Sequence, residues 1–201
     1  GMLAQAMAVQ GLIVRQARDL HLAMPVMVEP DPRDPFHVPL PWRGAPLDGP
    51  VKVGWTDRTY GFDLHPDVAA ALRDTRAALA DAGYVLEEID PPSMPEAAAV
   101  GYQALMTEVS SMLAPDMDRL GSDTLKGIFV HNYAFAPPLG MDDYLKAIAR
   151  RTGFARDWSL LLDRYPLVIT PFLPQPFFAP GRDAEGAEGL HEALGAALWS
   201  Y

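Results

Sequence analysis

Residues 51–92 read VKVGWTDRTYGFDLHPDVAAALRDTRAALADAGYVLEEIDPP, and this stretch decides the fold class. Through its middle, apolar residues recur every three or four positions with charged residues between them, which predicts an amphipathic helix. Pro66 can occupy the first turn of this helix, and Gly83 can supply the left-handed residue that ends many helices. Short apolar runs at 51–55 and 84–89 predict flanking strands. Two strands joined by a helix pair in parallel, so the stretch predicts a βαβ unit in a layered α/β sheet.

Composition limits the classes of function. The 201 residues are 49% apolar and carry a formal net charge of -10, with a sequence pI near 4.8. One sizeable core fits this length, whereas two full domains would be cramped. Binding phosphates needs clustered Lys and Arg, and the chain has three lysines. We therefore expect no nucleic-acid partner and no anionic membrane partner.

The cysteine content and the hydropathy pattern bear on location. The chain contains no cysteine, which excludes disulfides and thiolate metal sites and fits a reducing compartment. No apolar run approaches the roughly 20 residues that span a bilayer, and the N-terminus lacks a basic and apolar signal pattern. We therefore expect a cytoplasmic protein.

Two segments precede the βαβ unit. Residues 12–28 predict a helix that kinks or stops near Met24, because Pro25 removes a backbone donor at a cost of about 3 kcal/mol. Residues 29–50 contain seven prolines and predict an extended surface linker. Four apolar side chains are expected to anchor this linker: Phe36, Val38, Leu40 and Trp42.

A helical region is predicted over residues 93–165. The apolar spacing indicates one helix at 96–113, a shorter one after Ser122, which can cap it, and a long one at 142–164. Several helices are therefore expected to pack on the sheet.

The last part of the chain, residues 166–201, predicts a strand, a proline-rich loop and a C-terminal helix. Residues 167–170 are a short apolar run of the kind buried in the middle of a parallel sheet. The final helix has an apolar stripe from Leu190 to Tyr201. The whole chain, 1–201, is thus predicted to be a single α/β domain whose small, mainly parallel sheet has strands near 51–55, 84–89 and 167–170.

The common catalytic and cofactor motifs are missing from the sequence. No glycines have the spacing of a dinucleotide fingerprint or a phosphate loop, and no G-x-S-x-G elbow occurs. The histidines never fall at metal-ligand spacing, so we interpret them as structural or surface residues. They are His21, His37, His65, His131 and His191.

Adjacent polar pairs also favour structural interpretations. Ser110-Ser111 lies in a helical pattern, whereas an activated serine usually sits on a glycine-flanked turn beside backbone donors. Asp142-Asp143 fits negative charge at a helix N-terminus, and Glu87-Glu88 fits the solvated part of a strand. We assign no catalytic, cofactor-binding or metal-ligating residue and expect no cofactor, and the substrate-binding residues stay unassigned.

Four local sequences, taken in order, resemble the amidase signature family, whose members are serine hydrolases that cleave amides. They are residues 10–20 (QGLIVRQARDL), 29–35 (EPDPRDP), the βαβ unit at 51–92, and 165–174 (YPLVITPFLP). The resemblance covers nearly the whole chain and implies a partial amidase-like layered fold. For the family it implies hydrolysis of carboxylic amides through a serine acyl-enzyme.

The resemblance covers the central to C-terminal segment of the family pattern only. Family members work with a Ser, a cis-Ser and a Lys, and the resemblance implies that all three precede the point where this chain begins. The three lysines of this chain, Lys52, Lys126 and Lys146, lack the context of the family's lysine. Leu12 and Gln16 also replace the family's usual proline and helix-capping serine. The resemblance thus implies a chain that is inactive alone and that receives no catalytic residue by carry-over.

Three hypotheses follow. The first is an amidase-like protein that is catalytically inactive as this isolated chain. The second is a non-catalytic binding or complementation module, either a homodimer or one half of a split amidase, because an open parallel sheet and an apolar C-terminal stripe need a partner surface. The third is an unrelated small enzyme that uses Asp57, Asp63 or Glu108 in a cleft.

Overall fold

The computed structural model describes residues 2–7 and 11–197. Its secondary structure is mainly helical, with short strands between some of the helices. The helices are α1 (Met2–Met7), α2 (Ala17–Met27), α3 (Pro66–Asp81), α4 (Met94–Met112), α5 (Ala114–Leu120), α6 (Asp123–Phe135), α7 (Met141–Arg164) and α8 (Gly186–Ala196). The strands are β1 (Lys52–Trp55), β2 (Val85–Glu88) and β3 (Leu167–Ile169), and a short 3-10 helix spans Arg182–Ala184. Among the described helices, none combines the length and the apolar character needed to cross a membrane.

The chain divides into two compact units. One unit is Met7–Gly49, and the other combines Gly1–Ala6 with Pro50–Tyr201. The smaller unit contains α2 and the proline-rich segment, whereas the larger unit contains the sheet and the remaining helices.

The βαβ unit forms as the sequence predicts, and it confirms the α/β class. Strands β1 and β2 pair in parallel, with Val53 opposite Leu86. At the start of α3, the Nδ1 atom of His65 accepts a hydrogen bond from the backbone N–H of Asp67 at 3.2 Å. After the helix, Gly83 adopts a φ of 90°, a left-handed conformation that glycine tolerates without steric cost. Local signals at both ends therefore place this helix correctly.

Strand β3 joins the sheet next to β1, so the order is β2-β1-β3 with all pairs parallel. Gly54 of β1 lies opposite Val168 of β3. The prediction that residues 167–170 lie in the middle of the sheet is wrong for this strand, because β3 is at an edge and Leu167 is 45% exposed. An apolar run indicates that a strand is shielded from water. It does not tell whether neighbouring strands or other segments shield it.

The core of the larger unit lies between α4, α6 and α8. Tyr102, Met106 and Ala136 are buried there. They contact partly buried side chains from three helices: Leu105, Val109, Phe129, Tyr133 and Leu194. At the start of α6, the hydroxyl oxygen of Ser122 accepts the backbone N–H of Leu125 at 3.2 Å, so the predicted cap is present.

Helix α2 differs from its prediction at both ends. It begins at Ala17 instead of residue 12, and Gln16 precedes it in an extended conformation without a side-chain hydrogen bond to the helix. The helix also continues through Pro25 to Met27. Pro25 lies in the last turn, so its missing N–H removes one backbone bond close to the end, where α2 stops shortly afterwards in any case. The predicted stop near Met24 is therefore wrong, and the alternative, a kink at Pro25, stays a prediction.

The predicted anchors of the proline-rich segment are largely exposed. Residues 29–50 contain neither helix nor strand, as expected of a linker. Phe36, Val38 and Leu40 are solvent-exposed, which contradicts their assignment as anchors. Trp42 packs edge-on against His21, with 6.4 Å between the ring centroids.

Several helical segments were not predicted from the sequence. Helices α1 and α5 and the 3-10 helix are short, and elements of six, seven and three residues show little periodicity. Two ends of predicted segments, Gln10 and the stretch from Leu198 to Tyr201, lie outside the described residues.

Candidate functional site

The adjacent serines lie within helix α4. Ser110 donates its hydroxyl hydrogen to the backbone oxygen of Thr107 at 2.8 Å. Ser111 is exposed and lies at the edge of a cavity that Glu108 and Tyr144 also line. The hydroxyl of Ser110 donates its hydrogen to a backbone carbonyl of its own helix. It therefore does not donate to a side-chain base that could activate it as a nucleophile. The position of Ser110 therefore supports its structural interpretation.

Ser93 is a serine that the sequence did not single out. It precedes α4 with a φ of 54°, a left-handed conformation that is uncommon for residues other than glycine. Its side chain makes no capping hydrogen bond to the helix, and the residue is exposed. The sequence offers no signal for this conformation, because Ser is an ordinary residue ahead of a helix.

Two of the three lysines form ion pairs. Lys146 contacts Asp143 at 2.9 Å on the first turns of α7, and Lys52 contacts Glu87 at 2.7 Å between β1 and β2. Lys126 is half-buried in α6. The negative charge of Asp142 and Asp143 lies at the N-terminus of α7, as predicted.

Glu87 is the centre of a polar cluster. Its Oε1 atom contacts Lys52, and its Oε2 atom accepts the hydroxyl of Tyr165 at 2.6 Å and lies 3.3 Å from the guanidinium of Arg164. The bond from Lys52, followed by that from Tyr165, lowers the pKa of Glu87 to about 2. Glu88 is exposed, as predicted, whereas Glu87 is partly exposed and its carboxylate is hydrogen-bonded to Lys52 and Tyr165.

The carboxylates of the third hypothesis differ in their surroundings. Asp57 and Asp63 are exposed, whereas Glu108 is buried in α4. The Oε1 atom of Glu108 accepts the backbone N–H of Leu3 at 2.7 Å and the hydroxyl of Tyr144 at 2.5 Å. This hydrogen bond to Glu108 raises the pKa of Tyr144 to about 12. Glu108 thus connects α1, α4 and α7, which favours a structural role over acid-base chemistry.

The histidines have separate environments. His65 caps α3, and His21 packs on Trp42. His191 lies between Phe62 and Phe135, with ring centroids 5.9 and 5.7 Å away. Within residues 2–7 and 11–197, His, Asp and Glu side chains do not form a group of three that could hold a metal ion.

A cavity of about 210 Å³ lies between α4, the end of α6, and α8. Its wall is mainly apolar and includes Phe135 and Leu194, with Tyr102 and Gln103 as polar contributors. Buried Tyr102 donates its hydroxyl hydrogen to Oδ1 of Asn132, and Nδ2 of Asn132 donates to the backbone oxygen of Ile128 at 2.9 Å. A mainly apolar cavity with a few fixed polar groups is typical of a small-molecule site.

Sequence reasoning missed this cavity. Its lining residues belong to three helices that are far apart in the chain. The periodicity of each helix predicts an apolar face, but it does not predict which faces meet.

Comparison with known proteins identifies the family. The sequence model of the Amidase family matches residues 2–191. The chain is 32% identical to the indoleacetamide hydrolase of Bradyrhizobium diazoefficiens, over 96% of this chain and 37% of the relative. It is 29% identical to a glutamyl-tRNA(Gln) amidotransferase subunit of Deinococcus radiodurans, over 91% of this chain and 43% of the relative. The chain therefore spans well under half of the length of these relatives.

The fold agrees with this assignment. A solved fatty acid amide hydrolase matches 81% of this chain with a TM-score of 0.61, at 17% sequence identity, and the match covers 28% of that hydrolase. The order of motifs, the α/β fold and the extent of the family match thus agree, and the chain belongs to the Amidase family.

Proposed function

We propose that this chain is part of an amide-hydrolysing protein and that the isolated 201-residue polypeptide does not hydrolyse amides. The observation that supports this proposal is the position of Ser110, whose hydroxyl hydrogen bonds to the backbone oxygen of Thr107 inside α4. A backbone carbonyl is too weak a base to activate a serine, and a helix interior does not provide an oxyanion hole. Lys52 and Lys146 are engaged by carboxylates instead of a serine.

For the complete protein, we propose a primary amide with an apolar substituent as the substrate class. The relative at 32% identity is an indoleacetamide hydrolase. The cavity beside Tyr102 has apolar walls and a volume of about 210 Å³, which suits a small apolar group. Hydrolysis of the amide bond would need catalytic groups, and we do not assign these groups to residues of this chain.

An assay of ammonia release tests the first proposal. The purified chain is incubated with indole-3-acetamide and with propionamide, beside the double variant Ser110→Ala, Ser111→Ala. We expect both proteins to release ammonia at the rate of buffer alone. Release that coelutes with the chain in two chromatographic steps and that the double variant lacks would contradict the proposal.

A second candidate function is complementation of an amidase, by self-association or by another polypeptide. The supporting observation is the apolar surface beside the edge strand β3, where Phe172 and Phe177 are 61% and 90% exposed. Light scattering provides the first test, because a stable homodimer has twice the 21.9 kDa mass of the chain. If the chain is monomeric at high concentration, the homodimer is excluded. Complementation by a second polypeptide is then the alternative that is left.

We propose the cytoplasm as the location of this protein. The supporting observation is the lack of cysteine, which suits a reducing compartment. Fractionation of expressing cells, followed by immunoblotting, tests this proposal, and recovery of the chain in a secreted fraction would contradict it.

A further inference from the structure

The smaller unit, Met7–Gly49, ends in an irregular segment. Residues 29–50 contain neither helix nor strand, and every residue from 41 to 50 is exposed. In the described part of the chain, no backbone–backbone hydrogen bond involves residues 41–50. Proteases cut folded proteins at such exposed segments, because the chain can enter a protease cleft without the loss of a helix or strand. The end of this segment is therefore open to a protease.

A basic residue lies within this exposed stretch. Arg43 follows Trp42 and precedes Gly44. Proteases of the trypsin class carry a carboxylate in the pocket that accepts the residue before the cleaved bond, so they select arginine or lysine. On the other side of the bond, a side-chain carbon added to Gly44 would meet no atom of the described chain within 4 Å. Both sides of the bond thus suit a protease of this class.

The guanidinium of Arg43 can enter such a pocket. Among the described residues, no carboxylate forms an ion pair with it. Its neighbour Trp42 packs edge-on against His21, with 6.4 Å between the ring centroids, and is 39% exposed. This contact uses the ring of Trp42 and does not involve the backbone on either side of Arg43.

Arg33 lies in the same irregular segment but differs from Arg43 in its contacts. Asp31 accepts the backbone N–H of Arg33 at 2.9 Å and its guanidinium at 2.6 Å. The N–H of Asp34 donates to the backbone oxygen of Asp31 at 2.9 Å, which closes a turn around Arg33. The carboxylate of Asp31 competes with that of a protease pocket, and the turn has to open before the chain can bind. Arg33 is therefore expected to be cut more slowly than Arg43.

The other basic residues of the described chain are also restrained. Arg15 lies two residues before α2, so a protease that held the residues after it would have to unwind the start of this helix. Arg58 contacts Asp90 at 3.3 Å. The remaining arginines and lysines lie within helices or in β1, and local unfolding of these elements has to precede a cut.

We propose that the peptide bond between Arg43 and Gly44 is a cleavage site for a serine endoprotease of the trypsin class. Hydrolysis breaks the bond between the carbonyl carbon of Arg43 and the nitrogen of Gly44. Water supplies the hydroxyl of a new carboxyl group on Arg43 and a hydrogen of a new amino group on Gly44. The products are 1–43 and 44–201, so the cut separates α2 from the sheet and from helices α3 to α8.

Limited digestion of the full chain with trypsin tests this proposal. Intact-mass spectrometry of a time course identifies each product by its ends. We expect 1–43 and 44–201 to appear first, at a rate at least about tenfold above that of any other cut. Arg43→Gln should abolish these two products, whereas Arg43→Lys keeps the positive charge and should retain them. Arg33→Gln is the matched control and should leave the rate of the cut after Arg43 unchanged.

A second measurement tells whether the cut occurs in the folded chain. Glu108→Ala removes the buried carboxylate that accepts bonds from Leu3 and Tyr144, and it destabilises the larger unit. Cleavage that requires global unfolding accelerates as the unfolded fraction grows, whereas cleavage of an exposed bond does not. We therefore expect Glu108→Ala to change the rate of the cut after Arg43 by less than about twofold.

Three results would overturn the proposal. The first is an earliest cut at any basic residue other than Arg43. The second is a cut after Arg43 that Glu108→Ala accelerates by more than about twofold. The third is an intact wild-type chain under conditions in which trypsin degrades casein completely.

Discussion

Ser122 and Ser93 occupy equivalent positions ahead of helices α6 and α4, but they differ in what their side chains do. Ser122 is extended, with φ -65°, and its hydroxyl oxygen accepts the N–H of Leu125. Ser93 is left-handed and makes no side-chain capping bond. We expect Ser122→Ala to lower the free energy of unfolding by about 1 kcal/mol and Ser93→Ala to change it by less than about 0.5 kcal/mol. Urea unfolding of both variants measures these free energies. An equal decrease in the two variants would contradict the assignment of Ser122, but not Ser93, as a side-chain cap.

Glu87 gives the fold a dependence on acidic pH. Its pKa falls from 4.5 to about 2 in the folded chain, chiefly through the bonds from Lys52 and Tyr165. A carboxyl group with a lowered pKa stabilises the fold above its unfolded pKa, and the contribution is lost as pH falls from 4.5 towards about 2. We expect Glu87→Gln to reduce the pH dependence of unfolding in that range. Glu88→Gln changes the exposed neighbour and is the control. In this variant the free energy of unfolding should depend on pH as it does in the wild type.

Helix α4 is connected to α1 and α7 through one buried carboxylate. Glu108 accepts bonds from Leu3 and Tyr144, and hydrogen bonds to charged groups contribute about 1.5 to 3 kcal/mol each. We expect Glu108→Ala, which removes both bonds, to lower the free energy of unfolding by about 3 to 6 kcal/mol. Glu96→Ala removes an exposed ion pair with Arg150 on the same helix and should cost less than about 1 kcal/mol.

Titration of Tyr144 gives a second measurement of this connection. Its pKa is raised from 10 to about 12, so the contact with Glu108 stabilises the fold below pH 10 and is lost as pH rises through about 12. In Glu108→Ala we expect the pKa of Tyr144 to move back towards 10, measured by absorbance with Tyr144→Phe to identify the signal. An unchanged titration would show that Glu108 does not hold this hydroxyl.

The predictability of an element depends on how local its signals are. Helix α3 could be predicted because its spacing, Pro66 and Gly83 all lie within the helix or next to it. Helix α2 was placed too early because Gln16 provides no side-chain cap to mark its start. The apolar run of β3 indicated a strand correctly, but its position at the edge depends on which segments are beside it. That information is not local to the strand.

The candidate site was less predictable than the fold. Tyr102 and Asn132 form a hydrogen bond between α4 and α6, although 30 positions separate them in the sequence. Neither residue belongs to a motif that marks a site. The buried position of Glu108 was also not visible in its local sequence, since acidic residues are usually exposed. Packing between helices decides such features, and one sequence does not reveal which helix faces meet.

At the scale of the whole molecule, the chain has an Amidase-family fold with an open sheet edge. The family match extends over residues 2–191, yet the chain covers only 37% and 43% of two relatives. The exposed aromatic side chains beside β3 are consistent with a surface that another segment covers. Family membership and the inactivity that we propose for the isolated chain are therefore compatible.

Labelling with a fluorophosphonate tests this central claim most directly. The reagent forms a covalent bond with serines that are activated as nucleophiles, and intact-mass spectrometry detects the adduct. We predict no adduct on the isolated chain under conditions that label an active amidase completely. A stoichiometric adduct that maps to Ser93, Ser110 or Ser111, and that is lost when the labelled serine is replaced by alanine, would contradict the account.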